Sequence, residues 1–283
     1  MTASKAVIAT SDPVPEGAGS PLEYISASRL KSFLECRFKF YLERVLGMKS
    51  PATANLHIGR AVHAGLQAYN LAVWHGEELD AEGVSAAYRE AYEAGEEEDP
   101  VTYDKKDRET CLETGERVLQ AYVASDASKD SRRILGVETW LRSDSSRTAL
   151  PIVGVIDLVR DGGQPIAVDF KTTAATPDQR SEAWMHLLQL AAYCLLLRDA
   201  TGEDPKECEL VYLVKLKSPK VITQRVSIDE QAIDRFRALV DVYVDGVTRE
   251  EFYPSPGMHC RWCPWHSECQ AFTGTNQAQR LAA

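Results

Sequence analysis

Apolar side chains recur every three to four residues through the first half of the chain, then give way near Ile134 to short alternating runs. Ser26 or Ser28 caps a first helical stretch from about Arg29 to Leu46, which Gly47 and Pro51 end. A second helix is predicted from about Ala54 to His75. The region Ala81–Ala127 is charged and helical in pattern, with an acidic knot at Glu96–Asp99 and a break at Pro100. Glu runs of this kind read as a solvated face and are assigned no function.

Beyond Ile134 the runs Ile134–Arg142, Pro151–Arg160 and Pro165–Lys171 predict strands, and Asp161-Gly162-Gly163 predicts a hairpin between the last two. A helix from about Ser181 to Ala200 follows, then strands at Glu209–Lys217 and Val221–Ile228 and a helix from about Asp229 to Thr248. The pattern predicts an α/β domain, a small mixed sheet flanked by helices, with a helical segment before it.

A chain of 283 residues can bury one large core, with or without an appendage. Its net charge of -10 argues against a surface coated in basic groups, but a local groove can still meet phosphates. The first twenty or so residues read as a disordered leader, and no apolar run is long enough to span a bilayer. A cytoplasmic location is therefore expected. In that reducing setting, clustered members of the seven cysteines point to metal rather than to disulfides.

If the hairpin closes with Asp161 opposite Pro165, Asp157 falls across from Asp169, with Cβ atoms roughly 4.5–5.5 Å apart. Lys171 projects from the same face as Asp169, while Ile156, Leu158, Val168 and Phe170 turn the other way into a core. Two carboxylates and an ammonium on apolar strands are costly unless something uses them. Mg²⁺ or Mn²⁺ would relieve the repulsion, and Lys171 would orient a water or stabilise charge on a phosphate. The plainer alternative is a salt bridge on an edge hairpin.

This hairpin resembles the core of the PD-(D/E)XK nucleases, in particular the RecB-like branch that includes CRISPR-associated exonucleases and nuclease domains of recombination helicases. Ile58-Gly59-Arg60-Ala61-Val62-His63 matches that branch's upstream helix with its histidine. Gln189-Leu190-Ala191-Ala192-Tyr193 matches the helix after the lysine strand. Glu138 stands where family members often carry an acidic residue on the first core strand. The resemblance implies a restriction-endonuclease-like core in which Lys171, Asp157, Asp169, Gln189 and Tyr193 are catalytic. It implies a metal held by His63, Asp157, Asp169 and the Phe170 backbone carbonyl.

Cys260, Cys263 and Cys269 form C-x₂-C-x₅-C, a spacing that fits zinc or iron–sulfur, with His259 and His266 as further zinc candidates. The family resemblance supplies Cys36 as a fourth ligand and favours a [4Fe–4S] cluster over structural zinc, although Arg37 replaces the proline common after that first cysteine. Such a cluster would clamp the two ends of the chain around the core. Cys111, Cys194 and Cys208 read as ordinary buried residues.

Arg37, Lys39, Arg44, Lys215, Lys217 and Lys220 are candidate phosphate contacts, and each also reads as solvated surface. Trp262, Trp265 and Phe272 either stack on bases or pack around the cluster. The chain lacks a G-x-x-x-x-G-K-[ST] loop and so a helicase motor. Expected domains are a leader (1–22), a helical segment with Cys36 and His63 (23–130), the nuclease core (131–250) and the cysteine segment (251–283). The expected activity is a DNA exonuclease on single-stranded or free-ended DNA, in recombination or repair, phage DNA metabolism or CRISPR adaptation, beside partners of those pathways. The reading from another class is a non-catalytic or redox-responsive iron–sulfur DNA-binding subunit of a larger complex.

Overall fold

Ser26 accepts the Arg29 N–H and opens α1 (Ala27–Glu35), as the capping pattern predicts. The single helix expected to run on to Leu46 is interrupted. Cys36 adopts an extended backbone (φ −156°, ψ 110°), after which α2 (Arg37–Phe40) passes into a π-helical turn, Tyr41–Val45. Leu30, Phe33, Phe40 and Leu42 all enter one core, so the pieces share a buried face and the apolar spacing hides the break. These features come from a computed structural model that describes residue 8, residues 20–103 and residues 107–274. Most of the expected leader, 1–7 and 9–19, lies outside the described residues. Ile8 is buried, and its N–H donates to the Leu135 carbonyl at 3.1 Å.

A short strand β1 (Ala52–Thr53) leads into α3 (Ala54–His75) and α4 (Ala81–Glu98), and pairs in parallel with β2 (Val101–Thr102). α5 (Arg108–Ala124) follows. Thr53, Asp80 and Asp107 cap these helices through their side chains. Gly76 ends α3 in the left-handed region at φ 75°, which only a residue without Cβ adopts freely.

The main sheet holds β3 (Ile134–Ser143), β4 (Ile152–Asp161), β5 (Pro165–Thr173), β6 (Glu207–Val214) and β7 (Lys220–Ser227), in that order across the sheet. Only the β5–β6 pair is parallel, and α6 (Gln179–Thr201) makes the crossover between them. α7 (Glu230–Thr248), a 3₁₀ turn at Met258–Trp262 and the short α8 (His266–Gln270) are the last elements among the described residues. α1, α6 and α7 pack on one face of the sheet; α3, α4 and α5 pack on the other. No described helix is long and apolar enough to cross a membrane.

The β4–β5 hairpin has the register that its turn predicts, with Asp161 opposite Pro165, and the paired positions run to Leu158 and Val168. There the strands part. Leu158, Val168 and Phe170 enter the α3–α5 core as expected, but Ile156 lies in the opposite core with α6. The same change of side occurs on β3, where Val137 and Leu141 belong to different cores. Glu138, between them, sits at φ 46°, a conformation that strains a residue bearing a Cβ. Both strands thus twist out of simple alternation at Glu138 and Asp157.

Candidate active site

The gap between the parting strands gathers the residues singled out above. Asp157 does not simply face Asp169 across a ladder. Its Oδ2 accepts the backbone N–H of Phe170 at 2.8 Å, taking the place of a strand-to-strand bond. Its Oδ1 lies 3.5 Å from Nδ1 of His63, on the middle of α3. Gly59 brings α3 close here, since a Cβ at that position would stand 3.2 Å from Thr172 Oγ1. Glu138 reaches the same point from β3. Among the described residues, His63, Glu138 and Asp157 form the one such group whose metal-ligating atoms all lie within 4.8 Å of one another. They line an open cleft of about 670 Å³ with Phe170, Lys171, Arg60 and Lys215.

Asp169 is only 2 % exposed and is enclosed from the α6 side. Gln189 Nε2 donates to its Oδ1 at 2.9 Å, and the Tyr193 hydroxyl donates to the same oxygen at 3.3 Å. The Lys171 ammonium stands 2.7 Å from Oδ2, and donates at 3.0 Å to Gln189 Oε1. One amide therefore holds both the carboxylate and the lysine, because a primary amide is at once donor and acceptor.

Electrostatics mark the group as crowded with negative charge. Burial, and then the Asp157 and Asp169 charges, push the Glu138 carboxyl up to about 7. Burial also raises Asp169; Lys171 works against that rise and Asp157 adds to it. For His63, burial disfavours the charged ring, but Asp157 outweighs it and carries the imidazole up to about 9. A cation at this point would relieve all three.

His186 was not singled out by the sequence reasoning. It lies one turn before Gln189 on α6, and burial, then Lys171 and Lys31, lower its ring to about 4. Glu182, 3.5 Å from its Nε2, does not offset them. A partly apolar helix hides such a residue, and only its i,i+3 relation to Gln189 could have drawn notice.

The cysteines converge at the opposite end of α1. The extended backbone at Cys36 places it with Cys260, Cys263 and Cys269 around one cavity, with Phe38, Trp265 and His259. Burial and the three neighbouring cysteines raise the Cys269 thiol. A single zinc ion would draw four sulfurs to about 3.8 Å of one another, given Zn–S bonds of about 2.3 Å. Among the described residues, no three of these thiols lie within 4.8 Å of one another. His266 donates to the Cys260 carbonyl at 2.7 Å, whereas His259 Nε2 is buried with no hydrogen-bond partner among the described residues.

Several expected phosphate contacts are engaged elsewhere. Arg37 pairs with Glu251, and Lys39 with Glu35 at 3.5 Å. Trp265 donates to Glu43 at 2.9 Å and Phe272 packs on Phe38, while Trp262 stays exposed. Cys194 and Cys208 lie 3.6 Å apart, sulfur to sulfur, in the core, a contact that the sequence did not reveal.

A five-stranded mixed sheet between helical layers, with a histidine and carboxylates at a split hairpin, is consistent with the restriction-endonuclease-like fold. The model of the PD-(D/E)XK nuclease superfamily matches residues 24–270, and the chain belongs to that superfamily. A solved structure from Eubacterium rectale, described as a "putative exonuclease", is 14% identical over 93% of this chain and 96% of its own, with a TM-score of 0.61. At that identity the likeness is one of fold. The structure of SSO0001 is 15% identical over 84% of this chain and 96% of its own, with a TM-score of 0.35. No curated protein sequence matches the chain.

Proposed function

We propose that this nuclease is a divalent-metal-dependent DNA exonuclease that hydrolyses phosphodiester bonds from the ends of single strands. The observation that carries the reading is the meeting of His63, Glu138 and Asp157 within 4.8 Å, beside the Lys171–Asp169 pair. One imidazole and several carboxylates are a donor set suited to Mn²⁺ or Mg²⁺. His63, Asp157 and Asp169, with Glu138 and the Phe170 carbonyl, would hold the ion. When bound, it polarises a phosphate oxygen and lowers the pKa of a water.

The side chains of the chain supply the rest. Lys171 presents its ammonium to the attacked phosphate, where it offsets the negative charge that develops and orients the incoming water. Gln189 fixes the lysine against Asp169, so neither group need reorganise during the reaction. The Tyr193 hydroxyl keeps the Asp169 carboxylate turned toward Lys171. His63 must give up its proton before it can bind a metal.

The same proposal includes a [4Fe–4S] cluster on Cys36, Cys260, Cys263 and Cys269, which line one cavity; the family resemblance favours it over a single zinc ion. Its role is to fasten the chain ends, in a reducing cytoplasm where thiolates stay available. Partners in recombination, repair or CRISPR adaptation are consistent with this chemistry. The test compares linear and circular single-stranded DNA, and duplex, in Mn²⁺ with anaerobically purified protein. Cutting confined to linear single strands supports the proposal. Equal cutting of circles removes the exonuclease, faster cutting of duplex removes the single-strand preference, and no cutting favours a non-catalytic or redox-responsive DNA-binding subunit.

A further inference from the structure

The parting of β4 and β5 opens a second cavity beyond the carboxylates. It lies along the β4 edge at Val153–Val155, between the start of α1 and the middle of α6. The paired positions of β4 and β5 end at Leu158, and the next backbone pairing on that side is Ile25 with Ile152. Between those points the β4 edge faces the cavity. Its volume is about 180 Å³, larger than the apolar cavity of about 150 Å³ that takes a benzene ring.

The lining is unusual for a chain of net charge -10, because it contains no acidic side chain. It contains two arginines. Arg29 is spoken for, with its guanidinium 3.9 Å from the Tyr24 ring centroid and bonded to the Tyr24 carbonyl at 3.0 Å. Arg44 has no ion-pair partner among the described residues. Trp140 and Tyr24 supply aromatic wall, and the Ser26 and Ser28 hydroxyls, 3.0 Å apart, lie near the helix start.

The cavity adjoins the candidate active site. Gln189 and Tyr193, which hold Asp169, form part of its wall, and Val155 borders both cavity and cleft. Val155 precedes Asp157 by two residues, about 7 Å along an extended strand. Aromatic surface with a cation that has no ion-pair partner among the described residues, one short step from a phosphate-cutting site, is the lining that single-strand binders use.

We propose that this cavity is a nucleobase subsite. It receives one unstacked base of the strand, against Trp140, next to the phosphate held in the cleft, while Arg44 meets an adjoining phosphate. The proposal rests on the nuclease reading and adds to it a reason for preferring single strands, since a duplex must first unpair to offer such a base.

Single-stranded oligonucleotides carrying 5-iododeoxyuridine at successive positions are photolysed with the full-length protein in EDTA, and the cross-linked residue is found by mass spectrometry. The expected result is a cross-link to Trp140 or Tyr24 from one oligonucleotide position. An abasic site at that position should weaken binding about tenfold, the scale of one lost base stack. Trp140→Ala should bind both oligonucleotides equally weakly. If Trp140→Ala does not fold, Arg44→Ala should weaken binding of both without removing the cross-link. Cross-links that fall only elsewhere, or an abasic site that changes nothing, overturn the proposal. Cleavage of a base-free aryl phosphodiester in Mn²⁺ reads the metal site separately. A wild type that cross-links at Trp140 but leaves that diester uncut retains the subsite and counts against the nuclease reading.

Discussion

The carboxylate of Asp157 accepts the backbone N–H of Phe170 across the two parting strands, at 2.8 Å. One oxygen thus closes the hairpin while the other faces His63 at 3.5 Å. Structure and site meet in a single side chain, and they can be separated by choosing how much of it to remove.

Asp157→Asn keeps an oxygen for the Phe170 N–H but loses the charge. Its stability should stay close to wild type, while Mn²⁺ affinity and DNA cleavage fall at least a hundredfold. Asp157→Ala leaves the N–H without its acceptor and should cost about 1–3 kcal/mol more than Asp157→Asn. Urea unfolding of the metal-free proteins measures the difference. Equal stability of the two variants would show that the bond does not hold the hairpin.

His186 gives the site an acid-sensitive element. Its ring is lowered to about 4 by burial, then by Lys171 and Lys31, whereas an unfolded histidine titrates near ~6.5. Between those values the unfolded chain takes up a proton that the folded chain refuses. Stability is therefore unaffected above about pH 6.5 and is lost progressively as the pH falls toward 4. His186→Gln should move the acid-unfolding midpoint to lower pH, as followed by circular dichroism. An unmoved midpoint would mean that His186 protonates freely in the folded protein.

The cysteine cavity predicts a different kind of loss. Phe38 N–H donates to the Tyr253 carbonyl at 3.1 Å and Tyr41 packs on Phe252, so the segment after Cys36 also touches the segment before Cys260 without any metal. Cys263→Ser should remove a brown chromophore and make the segment after Phe252 sensitive to protease, while the sheet stays resistant. The closed loop limits the destabilisation to about 5 kcal/mol. A colourless wild type carrying one zinc ion per chain would contradict the cluster.

Much of this arrangement could be read along the chain because it follows from local rules. The span of α3, the Asp161-Gly162-Gly163 turn and the resulting hairpin register each depend on neighbours in sequence. Cys36 did not show itself as a break because Phe33 and Phe40 keep helical spacing on either side of it. The positive φ of Glu138 and the change of face at Ile156 depend on where β3 and β4 twist together, which no single strand pattern encodes. The same holds for the cavity beside Trp140, which exists because β5 turns away from β4. His186 was missed because its ring is shaped by burial, then by Lys171 and Lys31 on other elements, none of which its own helix pattern encodes.

The role proposed for Lys171 is to act on a phosphate at a metal site built by other residues. Cleavage of end-labelled single-stranded DNA in Mn²⁺ should therefore be compared for wild type and Lys171→Ala, with Mn²⁺ binding to each measured in parallel. Lys171→Ala should bind Mn²⁺ at least as well as wild type and cut at least a hundredfold more slowly. Cutting by Lys171→Ala at the wild-type rate would contradict that role.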